Sequence, residues 1–442
     1  MCDGETAEPI KQPVRSDEGT ETEQSVKRTR RGEKFTPANE VNLHGNDFEW
    51  VDLLKELSSE DLILYQQIRQ KCSEKLQRVH NELISVRKVK KCADCFYPLG
   101  HDNNVGVLEV TPTSEADAPS PASVPAQCSS AAAEHTHDPQ SWERHYMTNK
   151  QHFPVKNYIV HAFPSLIPRM YPGQSHKEAL DALCGVSSTS DASQQPPPPP
   201  ALSYVESVGG RVVMEAGCGT GSVTHPLMKL FPKDTFICHD VSGTAVDILR
   251  SHDVSKLHVA QGGQLETFVL DLSRGGHALT AAVEEYCMHS LGNRASKGNT
   301  DFILLVFVLS AMPSLQHMVH ALRQLRSYLR PVTGRLLFRD YGALDHNFFR
   351  FHRQDNMFLE SSLNFLKGDG TEQFFYDIET VHELFALSGL APASETVYHC
   401  NRIVNRKNGK RMDKVFVNGE FCVAPLPEDA SDAKDLKNTK TD

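Results

Sequence analysis

From Arg211 onward the chain alternates short apolar runs with helical stretches, and this alternation most narrows the folds open to it. The runs Arg211–Glu215, Thr235–His239, Thr267–Asp271, Phe302–Val308 and Arg335–Asp340 read as strands, with helical periodicity near 222–231, 243–251, 278–289 and 314–329 between them. Strand and helix in strict turn predict an α/β fold with a parallel sheet covered by helices on both faces. A further helix should begin at Asp377, a good N-cap, and end at Gly389. Two late strands, 393–399 and 414–422, flank Asn408-Gly409, so an antiparallel hairpin should close the sheet.

Upstream, Ser58 followed by Asp61 marks a helix start, and Tyr65, Ile68, Cys72, Leu76, Val79, Leu83 and Val86 recur at spacings of three and four. That stripe implies a helix with one buried face, which either packs on the body or a partner helix or forms an RNA-contacting arm. Charge is uneven along the chain. The net value is −10, yet Arg69 to Lys91 holds eight Lys/Arg against two Glu, and Arg402 to Lys414 holds six against Asp413 alone. Such stripes can hold a polyanion while the remaining surface repels it.

Several classes drop out. No run of about 18 apolar residues offers a membrane span, and the start "MCDGETAEPI" lacks the pattern of a secretory signal. The 11 scattered cysteines form no disulfide framework and suit a reducing compartment, cytoplasmic and also nuclear if "KRTRR" at 27–31 is a signal. Cys92 and Cys95 have metal spacing, but no second pair follows at the distance zinc needs, so no metal is expected.

The loop after the first strand reads "EAGCGTG", Glu215 to Gly221. A dinucleotide fingerprint would need glycine where Ser222 stands, and the P-loop's Gly-Lys is missing. Instead E-x-G-x-G-x-G resembles the first motif of class I S-adenosylmethionine-dependent methyltransferases. On that resemblance Glu215, Gly217, Cys218, Gly219 and Gly221 face the donor's amino-acid end. Asp240, 19 residues beyond Gly221, accepts from the ribose hydroxyls, and Asp271 with Leu272 serves the adenine.

Further segments resemble one group, the tRNA 3-methylcytidine methyltransferases, over roughly 141–423. They are Phe307-Val308-Leu309-Ser310-Ala311, then Leu337-Phe338-Arg339-Asp340-Tyr341-Gly342 with Asp345, Arg350 and Phe351. Asp369-Gly370-Thr371 with Phe374-Phe375 follows, and Val404-Asn405-Arg406-Lys407 with Val415-Phe416-Val417 ends the series. In "SWERHYMTNKQHFPVKNYIVHAFPSL" the resemblance implies that Trp142 and Tyr146 fold over donor and base. Two departures occur: Phe153-Pro154-Val155-Lys156 replaces the usual Phe-Lys-Asp-Arg, and Lys367 and Glu372 replace basic residues usual around the Asp-Gly-Thr motif.

The implied fold is the class I methyltransferase one, with a mostly parallel seven-stranded sheet and an antiparallel final hairpin. The implied activity is methylation of cytidine N3 at anticodon-loop position 32 of tRNA. Alternatives are a methyltransferase acting on another RNA base or a small molecule, and a partner-dependent subunit of a tRNA-modifying complex. Cytosine N3 carries a lone pair at neutral pH, so no base need deprotonate it. Asp340 is therefore expected to accept from the cytosine amino group and to face the charge developing on the ring. Arg339 would orient it as an ion-pair partner or hold the cytosine carbonyl, and Tyr341, Phe348 or Tyr146 would stack on the flipped base. Phe307 belongs to the donor set, while Lys156, Arg350, Lys367, Arg402, Arg406 and Lys407 are expected to contact RNA. The expected layout is a disordered tail at 1–48, a partly basic helical extension at 49–110 and a linker at 111–140. The methyltransferase domain follows at 141–423, with a cap at 141–171 and a Pro-rich loop at 172–203, and then a tail at 424–442.

Overall fold

The helical stripe near the start of the chain is built as its spacing predicts. The computed structural model describes residues 47–88, 138, 140–149, 155–184, 210–354, 357–404, 409 and 411–425. Strand β1 (Asp47–Phe48) leads through α1 (Trp50–Glu56) into the 30-residue α2 (Ser59–Lys88). The Ser58 hydroxyl accepts from the Asp61 amide at 3.1 Å, which satisfies one of the free donors of the first turn. Tyr65, Ile68, Cys72, Leu76, Val79 and Leu83 are all buried; the side chain of Val86 lies outside the described residues.

Next come α3 (Gln140–Thr148), α4 (Ile159–Ala162) and α5 (His176–Leu183). Helix α5 falls inside the segment expected to be a loop. It is fixed by a reciprocal cap, in which the Ser175 side chain accepts from the Glu178 amide and the Glu178 carboxylate from the Ser175 amide. The proline run, Cys92 with Cys95, "KRTRR" and residues 111–137 lie outside the described residues.

The alternating region gives β2 (Val212–Ala216), α6 (Thr224–Leu230), β3 (Thr235–Asp240), α7 (Gly243–Ser251), α8 (Asp253–Ala260) and β4 (Gln264–Val269). It continues with α9 (Ala278–Tyr286), α10 (Met288–Leu291), β5 (Phe302–Val306), α11 (Leu315–Arg326) and β6 (Arg335–Tyr341). After α12 (His346–His352), three short strands β7 (Phe358–Leu359), β8 (Asn364–Leu366) and β9 (Glu372–Gln373) form a small separate sheet. The chain closes with α13 (Ile378–Leu387), β10 (Leu390–Pro392), β11 (Val397–Val404) and β12 (Arg411–Val423).

The main sheet runs β1-β11-β12-β6-β5-β2-β3-β4, with β10 also on β12. Strands β4, β3, β2, β5 and β6 pair in parallel, and β12 is antiparallel to both β6 and β11. The seven expected strands are present, and the short β1 and β10 bring the total to nine. Residues along the central strands alternate between two cores. Met214, Ile303, Leu305 and Phe338 face one, and Val213, Leu304, Val306 and Leu337 face the other. Burial on both faces is why these strands read as continuous apolar runs.

Two expectations shift. The strand expected at Thr267–Asp271 runs from Gln264 to Val269, in register with β3 from Thr235↔Gln264 to Asp240↔Val269. It lies at the sheet's edge and is mostly half-buried, so its pattern is weak and its pairing partner sets its limits. Asp271 therefore stands beyond the strand. The strand expected at 393–399 begins only at Val397 and runs on to Val404, as β11, with the short extra strand β10 ending just before the expected start.

Helix α2 packs on α11 and α13 and joins the core beneath them. Three of its basic residues meet the body: Arg69 lies 3.1 Å from Glu379, Lys71 2.5 Å from Glu360, and Lys75 donates to the Ser361 carbonyl at 2.7 Å. Of the two readings left open by the stripe, packing on the body is the one realised. Among the described residues no helix is long and apolar enough to cross a membrane.

Candidate active site

The carboxyl ends of β2, β3 and β5, together with the residues just beyond β4, meet at one cavity, as the ligand-binding edge of an open α/β sheet requires. The glycine loop after β2 forms one wall. Gly217 (φ +68°) and Gly219 (φ +51°) adopt backbone that side chains resist. A Cβ at Gly217 would come within 2.5 Å of Val308 Cγ2, and one at Gly219 within 2.7 Å of Tyr146 Oη. The loop is hooked to β3, where the Cys218 amide donates to the His239 carbonyl at 2.9 Å. Gly221 is turned away, with its Cβ position filled by the ring of His225.

Asp240 holds that wall and faces the cavity. Its Oδ2 accepts from the Gly219 amide at 2.8 Å and its Oδ1 from the Ser242 amide at 3.0 Å, leaving lone pairs on both oxygens for a ligand. Burial raises its pKa to about 6, against these opposing amide bonds. Glu215 also lines the cavity; burial pushes it up to about 8 while the Thr224 hydroxyl, donating to it, and nearby Lys156 pull it back. Asp271 sits in the loop after β4, its Oδ1 accepting from the Ser273 hydroxyl at 2.6 Å, and Leu272 beside it is buried.

Helix α3 closes the cavity from above with Trp142 and Tyr146. Three contacts seat it. Glu143 accepts from Ser242 Oγ at 2.6 Å and from the Thr244 hydroxyl at the start of α7. His145 Nδ1 lies 3.1 Å from Asp369 Oδ2, and Lys367 Nζ stands 5.5 Å from the centre of the Trp142 ring. The Asp-Gly-Thr loop thus acts as a latch on the cap. Lys367, expected at RNA, is half-buried against Trp142 instead.

The acceptor side corrects the sequence reading most. Arg339 and Asp340 are not partners, because neighbours on a strand point to opposite faces. Arg339 donates to Asn418 Oδ1 at 2.5 Å, lies 2.9 Å from His399 Nδ1 and stacks 4.3 Å from the Phe416 ring centre. The Asp340 carboxylate is fully buried and accepts from the Ser310 amide at 3.0 Å and the Tyr341 amide at 2.9 Å. It is not among the described residues that line the cavity. It pins the turn Leu309–Ala311, and so positions Phe307 and Val308, which do line it. Phe307 itself has φ +62°, a strained backbone held by its amide's bond to the Arg339 carbonyl at 2.8 Å. Tyr341 packs its ring 4.9 Å from that of Phe307.

The chemistry of this cavity matches S-adenosylmethionine. Carboxylates at the ends of successive strands suit a ligand with an ammonium, a sulfonium and a ribose diol, and the tight glycine wall admits an unbranched amino-acid end. Comparison with known proteins agrees. The family described as Methyltransferase domain matches residues 192–395. O-methyltransferase 3 of Dictyostelium discoideum is 30% identical over 209 residues, 47% of this chain and 43% of that protein. The tRNA N(3)-cytidine methyltransferase METTL2 of Danio rerio is 29% identical over 291 residues, 63% of this chain and 72% of that protein. METTL6 of Mus musculus, of the same name, is 30% identical over 231 residues, 51% of this chain and 71% of that protein. The chain belongs to the tRNA N(3)-cytidine methyltransferases.

Its methyl donor is S-adenosylmethionine. Most of its expected donor set is gathered at the cavity: Trp142, Tyr146, Glu215, Gly217, Cys218, Gly219, Asp240, Asp271, Leu272 and Phe307. Sequence reasoning missed the clamps Glu143 and His145, whose partners stand about 100 and 224 residues away. It also assigned Lys156 to RNA, whereas its buried side chain lines the donor cavity and donates to Ser222 Oγ at 2.5 Å.

Within the expected RNA stripe at 402–414, the three described basic residues, Arg402, Arg411 and Lys414, are ion-paired. Arg402 lies 2.8 Å from Asp413, its partner across the hairpin, and stacks on Phe48; Arg411 meets both Glu56 and Asp413, and Lys414 meets Asp345. Arg350 is exposed on α12, over the ring of Phe351, while Arg406 and Lys407 lie outside the described residues.

The Asp240 shift has a testable sign. Only the ionised carboxylate can accept from both ribose hydroxyls while keeping its amide bonds, so donor affinity should hold above about pH 6 and fall as pH drops through it. Calorimetric titration with S-adenosylhomocysteine from about pH 7.5 down to about 5 reads this. An Asp240→Asn variant should bind more weakly with a flatter profile; an equal slope in the variant would remove Asp240 as the titrating group.

Proposed function

We propose that the protein transfers the methyl group of S-adenosylmethionine to N3 of cytidine 32 in the anticodon loop of tRNA. One observation carries the acceptor side of this reading. Beside the donor cavity, the rings of Phe307, Tyr341 and Phe416 cluster with centres 4.9 to 6.3 Å apart, next to the Arg339 guanidinium. Aromatic faces with a cation suit a base drawn out of its stack, and a loop nucleotide costs less to extrude than a duplex one.

The donor supplies an electrophilic methyl on a sulfonium. The chain's residues align and exclude water; none has to remove a proton from N3. Tyr146 and Trp142 cover the cavity, the Asp340-pinned turn fixes Phe307, and Tyr341 packs its ring against Phe307. Arg350 is offered as a phosphate contact from the exposed face of α12. A protein partner that supplies further tRNA contacts is compatible with this assignment, since much of the described basic surface is ion-paired.

Incubation of purified protein with donor and an unmodified tRNA transcript, followed by nucleoside mass spectrometry, should yield 3-methylcytidine. A transcript with uridine at position 32 should yield none. Methylation of another base, or no product even with candidate partner proteins added, would defeat the assignment.

A further inference from the structure

We propose that Lys156 holds the carboxylate of the donor's amino-acid end and thereby makes the cavity select nucleosides that carry this group. The inference rests on the donor site described above and adds the one recognition element that site lacks. Glu215, Asp240 and Asp271 can meet the positive groups and hydroxyls of the donor, but its carboxylate needs a cation or a set of amides. Lys156 is the only lysine or arginine among the described residues lining the cavity.

Its position selects the right end of the ligand. Asp240 and Asp271, at the ends of β3 and beyond β4, mark where ribose and adenine lie. Lys156 stands on the opposite side, bonded to Ser222 just past the glycine loop, with Nζ 5.7 Å from the ring centre of Phe307. The residue is anchored at its backbone as well, where its amide donates to the Ser222 carbonyl at 2.7 Å. Burial lowers its pKa and the nearby Glu215 carboxyl raises it, and in so buried a place a charged amine would hold an anion strongly. A phosphate contact, by contrast, would have to reach a surface that this buried side chain does not meet.

The test compares two ligands by calorimetry: S-adenosylhomocysteine, which has the amino-acid end, and methylthioadenosine, which lacks it. In Lys156→Met, affinity for S-adenosylhomocysteine should fall roughly tenfold to hundredfold, as for loss of a hydrogen bond between charged groups, while methylthioadenosine binds as before. Lys156→Arg should retain most of the preference. Equal affinities for S-adenosylhomocysteine in wild type and Lys156→Met would overturn the proposal, and so would a parallel loss for both ligands. Wild-type protein that binds neither ligand would instead overturn the donor site beneath it.

Discussion

Asp340→Ala is expected to lower the melting temperature by several degrees and to weaken donor binding together with methyl transfer. The carboxylate has no exposed surface and accepts from the amides of Ser310 and Tyr341. Truncation leaves both donors buried and unmatched, at about 1–3 kcal/mol each. The disturbance does not stay local. The Ser310 carbonyl accepts from the Phe374 amide at 2.8 Å, and the turn it belongs to adjoins Phe307 and Val308 at the cavity wall. Asp340→Asn keeps one acceptor oxygen and should lose about half as much stability. Thermal melts with and without S-adenosylhomocysteine, alongside single-turnover rates, separate the roles. A variant that melts like wild type and binds donor normally but fails to methylate would restore Asp340 to direct contact with the base.

Asp240→Ala should act on the donor itself. The side chain offers acceptors to the ribose while holding the amides of Gly219 and Ser242, so its removal strips the ligand contacts and loosens the glycine wall together. The same Ser242 is bound by Glu143 of the cap helix, and disorder there should open the lid formed by Trp142 and Tyr146. The loss amounts to roughly a hundredfold in affinity for S-adenosylhomocysteine, the scale of two charge-assisted hydrogen bonds. Binding within about threefold of wild type would show that the ribose is held elsewhere.

Much of this site was legible before folding because its signals are local. A glycine series directly after an apolar run, and an acid at the end of the next one, occupy fixed places in any open α/β sheet, so Gly217, Gly219 and Asp240 could be placed from spacing. The α2 stripe was legible for a similar reason: spacings of three and four fix which residues share a face. What local pattern could not provide was the partner of each charged side chain. Arg402 and Lys414 looked like a basic stripe because Glu56 and Asp345 are remote in sequence, and Asp413 pairs with Arg402 only through the hairpin register. Counting inward along β11 and β12 would have found that last pair.

The stretch Arg339-Asp340-Tyr341 shows the same division. Its position at a strand end beside the methyl donor followed from the sequence. The direction of each side chain did not, although strand alternation alone forbids two adjacent residues from meeting over one face. By itself, then, the sequence determined the sheet's strands, the glycine wall and the acids that line the cavity, since each depends on short-range periodicity and backbone freedom. Only the tertiary structure decided that Asp340 braces a turn, that Lys156 enters the donor cavity and that α3 is latched by Asp369 and Ser242. Those outcomes depend on which distant groups burial brings together, and a buried charge takes whatever partner the packing supplies.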